Sequence, residues 1–203
     1  MAGGAGIDGS LYVDITSFAH DTHWLNSAMN DYTTLSLGLL VALLALAWWL
    51  TRRESGAGAR LVAVLIGVAG AVAANAGLKS LVDERRPCLT LPHVYTVVPC
   101  PGPSDYSFPS NHSALAGALA VGVFVLSRRL GLIAIVLALL EGFSRVYIGV
   151  HYPRDAVVGL LLGAAVTALA VWLLRPVTAL LARRSSGERV KRVDHVEQAE
   201  HGQ

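Results

Sequence analysis

Charge is scarce in this chain. Asp, Glu, Lys and Arg make up 15% of its 203 residues, and only two of the 16 basic residues are lysines. None of them falls between Met1 and Asp31, so the N-terminus lacks the basic opening of a cleavable secretory signal. The only cysteines are Cys88 and Cys100, and His93 is the one further metal-binding side chain near them, which argues against zinc. No carboxylate cluster and no His-x-His pair suggests a bound metal. The expectation is therefore chemistry without metal or cofactor. No internal repeat is evident, and nothing points to a nucleic-acid partner.

What the chain has is apolar length. It is 54% hydrophobic, with a mean hydropathy of +0.54, far from the composition of a soluble domain. Five stretches approach the roughly 20 residues that cross a bilayer. They are Tyr32–Leu50, Leu61–Leu78, Ser110–Leu126, Leu130–Tyr147 and Ala156–Leu174. Gly and Ala recur within them, as expected where helices approach closely. So short a chain has no polar surface to cover five apolar helices, which excludes a soluble protein. The fold class expected is all-α, a membrane bundle of about five transmembrane helices plus an N-terminal amphipathic helix. The membrane domain covers residues 32–175. Before it, residues 1–31 read as an interfacial segment, with a helix from Ser10 to Met29 anchored by Tyr12 and Trp24. After it, residues 176–203 read as a basic, polar, cytoplasmic tail that frays into solvent.

The basic residues set an orientation. Arg52, Arg53 and Arg60 fall in the first connection, Arg128 and Arg129 in the third, and six more follow the last span. By the positive-inside rule these lie in the cytoplasm, which puts the loop from Lys79 to Pro109 outside. Cys88 and Cys100 then sit in an oxidising compartment, where a disulfide is the inference and two free thiols the alternative.

Three clusters of reactive residues gather at the outer ends of the spans: KSLVDERRP (Lys79 to Pro87), PSNH (Pro109 to His112) and SRVYIGVHYPRD (Ser144 to Asp155). Three cations, two histidines and a carboxylate beside a bilayer are costly unless they line a wet pocket, and together they suit phosphate chemistry. In order and in internal spacing, the clusters resemble the tripartite signature of the type 2 phosphatidic acid phosphatase superfamily, across roughly residues 60–175. One departure is Asn111, where that family usually has glycine; glycine permits positive φ and close backbone approach, Asn is among the few other residues that tolerate that region, and activity is expected to be kept.

The resemblance implies a metal-independent lipid phosphatase. His151 would be the nucleophile, Asp155 would fix its tautomer, and His112 would protonate the leaving oxygen. Lys79, Arg86, Ser110, Asn111 and Arg145 would bind phosphate, with Ser144 in support. From spacing alone, Glu141 would pair with Arg145 one turn away and position it. Asn75 would brace Lys79 or bond a neighbouring helix. The partners implied are a lipid phosphate substrate and membrane lipids. A polyprenyl diphosphate such as undecaprenyl diphosphate is favoured, and phosphatidic acid or phosphatidylglycerol phosphate is the alternative. Lipid phosphotransfer and a catalytically silent lipid-binding protein stay open, and no oligomeric state is assigned.

Overall fold

The computed structural model describes residues 7–201, and the side chains as far as residue 183. These residues form α1 (Ile7–Asp21), α2 (His23–Thr51), α3 (Ala57–Val82), the short α4 (Pro87–Thr90), α5 (Asn111–Leu126), α6 (Arg128–Tyr147) and α7 (Pro153–His201). Among them, α2, α3, α6 and α7 contain segments long and apolar enough to cross a membrane, and α5 is a shorter apolar helix. The five expected spans are these five helices.

α5 is the axis of the bundle, packed against α2, α3, α6 and α7. Leu119 and Val123 of α5 meet Leu40 and Leu44 of α2, Val64 of α3 and Ala134 of α6 in one buried cluster. Against α7 the approach is closer still, backbone to backbone. A Cβ at Gly163 would lie 1.8 Å from the Ala114 carbonyl oxygen, and one at Gly117 2.2 Å from that of Leu160. Only residues without a side chain allow this, which accounts for the small-residue composition of both helices.

Three expectations need correcting. The Ser10–Met29 helix is two helices, because the chain breaks at Thr22 (φ −112°, ψ 49°) and its hydroxyl bonds back to the Phe18 carbonyl at 2.6 Å. Tyr12 is not an interfacial anchor. It is fully buried, donates to the Gly149 carbonyl at 2.8 Å and packs its ring 5.7 Å from that of Tyr152. A phenol with a protein carbonyl in reach and an aromatic face to cover is better placed inside. Trp24 does remain 80% exposed. Finally, α7 passes through Pro176 and continues to His201, where a fraying tail was expected.

The close α5–α7 contact can be tested. Gly163→Ala should lower the thermal midpoint of the purified protein by several degrees, an overpacking cost of about 1–3 kcal/mol, since the new methyl meets backbone. At Gly77 nothing lies within 4 Å, so Gly77→Ala should leave the midpoint unchanged or slightly raised. Equal midpoints for the two variants would contradict this packing.

Candidate active site

All three motifs come together at one end of the bundle. Arg86 stands between α3 and α4 in an extended conformation (φ −65°, ψ 147°), as the following Pro87 requires. Its guanidinium is almost fully buried and heavily bonded. Nε donates to the Asp105 carbonyl at 2.8 Å, Nη1 to the Val150 carbonyl at 2.9 Å, and Nη2 lies 3.0 Å from the Asp105 carboxylate. Lys79, in the last turn of α3, donates to the Tyr106 carbonyl at 2.6 Å and lies 3.9 Å from the same carboxylate. Two cations thus already converge on one anionic group. Asp105 carries no motif signature, and sequence reasoning passed over it.

His151 lies in the short connection between α6 and α7, buried. The turn that holds it depends on Gly149, whose φ of +87° is one that L side chains rarely adopt. Its Nε2 is 3.1 Å from Nη1 of Arg86. A guanidinium can only donate, so Nε2 carries a lone pair and the ring proton sits on Nδ1. On that side lie the Asp155 carboxylate at 3.4 Å and the Ser107 hydroxyl at 3.4 Å. Ser107 in turn donates a short hydrogen bond to the same Asp155 oxygen. Burial first, then the charges of Arg86, Arg145 and Lys79, hold the His151 imidazole well below its usual pKa and keep it neutral.

Asp155 has a second task. With Pro153 opening α7, its carboxylate accepts from the Tyr152 backbone N–H at 2.9 Å, a reciprocal cap of the helix start. Its own carbonyl accepts from the Ser110 N–H at 3.1 Å, which ties α7 to the start of α5. Ser110 caps α5 by accepting from Ser113 N at 3.4 Å and takes a further bond from the Ser113 hydroxyl at 3.0 Å. Having accepted twice, it keeps its own proton to donate. His112 follows in the first turn of α5, close enough to feel the charges of Arg145, Arg86 and Lys79.

Two expected pairings are not as the spacing suggested. Glu141 does not close directly on Arg145. Its oxygens accept from Thr33 at 3.0 Å, Ser36 at 2.6 Å and Ser144 at 3.2 Å. Arg145 Nη1 donates to the Thr33 hydroxyl at 3.0 Å, so a residue of α2 relays between them. The Nε of Arg145 is buried with no protein acceptor, a donor that an incoming anion could satisfy. Nor does Asn75 reach Lys79. Its amide donates to Asn111 Oδ1 at 2.6 Å, the helix–helix alternative. Asn111 is the first residue of α5, and the non-glycine residues with positive φ among those described are Asp83 and His93. The asparagine is therefore there as a hydrogen-bonding partner, not for its backbone tolerance.

Cys88 and Cys100 form a disulfide, Cα atoms 6.0 Å apart, closing the loop that leads to Asp105 and Ser107. The loop docks on the histidine turn through Val97 N and the Ile148 carbonyl at 3.1 Å.

Residues 60–178 match the model of the PAP2 superfamily. Undecaprenyl-diphosphatase BcrC of Bacillus subtilis is 32% identical over 181 residues, covering 85% of this chain and 89% of that protein. The bacitracin transport permease protein BcrC of Bacillus licheniformis is 34% identical over 140 residues, or 68% of this chain; this chain spans 64% of that relative's length. Among solved structures, a PAP2-type phosphatidylglycerolphosphate phosphatase from Bacillus subtilis superposes with a TM-score of 0.62 at 26% identity, over 82% of this chain and 86% of that one. LpxE of Aquifex aeolicus gives 0.67 at 23% identity, over 84% and 99%, a likeness of fold. The family model alone spans more than half of the sequence and all three motifs, and the chain belongs to the PAP2 superfamily.

Proposed function

We propose that this multi-pass membrane lipid phosphatase removes the terminal phosphate of a polyprenyl diphosphate, with undecaprenyl diphosphate the favoured substrate, by way of a phosphohistidine at His151. The observation that carries the reading is the His151 ring itself. It is neutral, its proton is held on Nδ1 by Asp155 and Ser107, and its Nε2 lone pair faces a guanidinium that would bind phosphate. The relative named an undecaprenyl-diphosphatase, matched over most of both chains, supports the choice of substrate.

In the proposed reaction, Lys79, Arg86, Arg145 and the first turn of α5 neutralise the terminal phosphate. Nε2 of His151 attacks phosphorus in line. As the P–N bond forms, the bond to the bridging oxygen breaks, and His112, protonated once the bound phosphate's negative charge offsets the three cations, gives its proton to the leaving lipid monophosphate. Water activated by His112 then attacks the phosphohistidine, releasing inorganic phosphate and restoring the imidazole. Charge neutralisation by side chains leaves no step that needs a metal. The arginine distribution and the bridged cysteines support an active site on the extracytoplasmic face with a cytoplasmic C-terminus.

The direct test is phosphate release by purified protein across prenyl and glycerol lipid phosphates and diphosphates. Fastest release from undecaprenyl diphosphate is expected, with His151→Ala losing several orders of magnitude. Faster release from phosphatidylglycerol phosphate would move the substrate, and an active His151→Ala would remove the nucleophile. Ser107→Ala should lower turnover roughly tenfold or more with little change in KM, because it loosens the imidazole without touching the phosphate cradle.

His151 should also stay uncharged on acidification. Its NMR signal, assigned by His151→Gln, should show no titration through pH 6.5, whereas a midpoint at or above 6.5 would contradict the burial argument. The unfolded chain takes this proton first, so the group erodes stability as pH falls below about 6.5. For the topology, in a variant without native cysteines, Gly102→Cys should react with a membrane-impermeant maleimide in intact cells. Arg53→Cys should react only after permeabilisation. The opposite pattern would place the site in the cytoplasm.

A further inference from the structure

α5 is too short for the bilayer. At about 1.5 Å per residue its 16 residues rise about 24 Å, against a hydrocarbon core of about 30 Å. Its first turn is fixed at the phosphate cluster by the Ser110–Asp155 bond, so the shortfall falls at the other end. There the chain leaves α5 at Leu126 and turns through Ser127 into α6, while α7 continues past it. A cavity of about 560 Å³ remains, floored by Phe124, Leu126 and Val171 and rimmed by Arg60, Arg128 and Arg175. Beside it, sharing Ala63 and Thr178, lies a second cavity of about 540 Å³. Val62 and Ile66 of α3 and Leu174 and Leu181 of α7 line this one.

The two cavities differ in chemistry. Three segments distant in sequence bring a guanidinium each to the first. Arg60 is engaged by Glu54 at 2.6 Å, and no carboxylate among the described residues lies within 4.0 Å of Arg128 or Arg175. Apolar walls dominate the second, where Arg52 and Glu54 are the charged lining residues, and Val62, Ile66 and Leu181 stand about half exposed. A cationic recess that opens into an apolar trough has the shape of an anionic amphiphile. Neither cavity belongs to the phosphatase site. Arg60 precedes Lys79 on α3 by 19 residues, about 28 Å of helix, and Arg175 follows Asp155 on α7 by 20 residues, about 30 Å.

We infer that this crevice is a binding site for an anionic phospholipid of the surrounding bilayer, its phosphate between Arg60, Arg128 and Arg175 and one acyl chain along the trough between α3 and α7. The lipid completes the bundle where α5 ends early, and the phosphate neutralises the three cations gathered around one cavity at this end of the bundle. The apolar trough favours a lipid over a free anion.

The test is native mass spectrometry of the full-length protein released from bilayers of equal phosphatidylcholine and phosphatidylglycerol. The wild type should retain one phosphatidylglycerol in preference to phosphatidylcholine, and absence of a preference would overturn the site. Arg128→Gln/Arg175→Gln should bind it roughly thirty-fold more weakly, at about five- to sixfold for each arginine, with phosphate release in phosphatidylcholine bilayers retained. Val171→Trp keeps the arginines and fills the floor, so it too should lose the lipid; unchanged retention by either variant refutes the proposal. Arg129→Gln changes the charge at the same end but outside the cavity, and should have no effect. An equal loss there would reduce the finding to diffuse surface charge. Displacement of the bound lipid by millimolar inorganic phosphate would make this a free-anion site and overturn the lipid assignment.

Discussion

The contact between the start of α5 and the start of α7 sets the rest of this molecule. The Ser110 N–H bonds the Asp155 carbonyl at 3.1 Å. One turn further, a Cβ at Gly159 would lie 2.7 Å from the Ser110 carbonyl oxygen. That separation fixes where His112, two residues past Ser110, stands relative to His151, four residues before Asp155. No side chain lies between the two backbones to act as a compressible spacer. The geometry of the histidine pair is thus inherited from main chain, the stiffest material available.

Around that fixed pair, the protein concentrates positive charge where water is scarce. Arg86, Arg145 and Lys79 act on both histidines, and each cation is held by neutral carbonyls or hydroxyls more than by carboxylates. Arg86 has two backbone carbonyls, Lys79 has one, and Arg145 has the Thr33 hydroxyl. Dipoles orient a cation without cancelling it, so the net field remains available to an anion. The carboxylates nearby are either withdrawn behind hydroxyls, as Glu141 is, or half-exposed, as Asp105 is.

Much of this was legible in the sequence, because apolar length and a spaced motif survive without tertiary information. Five helices and nine polar positions at one end follow from them. What was missed came from contacts between distant segments. Spacing correctly made Glu141 and Arg145 neighbours on α6, but the Thr33 hydroxyl that stands between them is 108 residues from Glu141. Ser107 and Asp105 sit in an irregular loop with no period and no motif, and only their place two and four residues before Pro109 hints at a role. Tyr12 looked like an interfacial anchor because a lone amphipathic stretch cannot reveal that the Gly149 carbonyl is waiting for its hydroxyl.

Asn111 carries a consequence for which substitutions α3 and α5 can absorb. Its side chain and that of Asn75 are a matched pair across α3 and α5, 2.6 Å apart and 36 positions apart in the chain. Asn75 is buried, so losing its partner would leave an amide stranded between two membrane helices. Drift at either position alone is penalised, and the two should change together. A glycine at the first site would remove the acceptor, and an amide at the second would then face the neighbouring helix with nothing to bond.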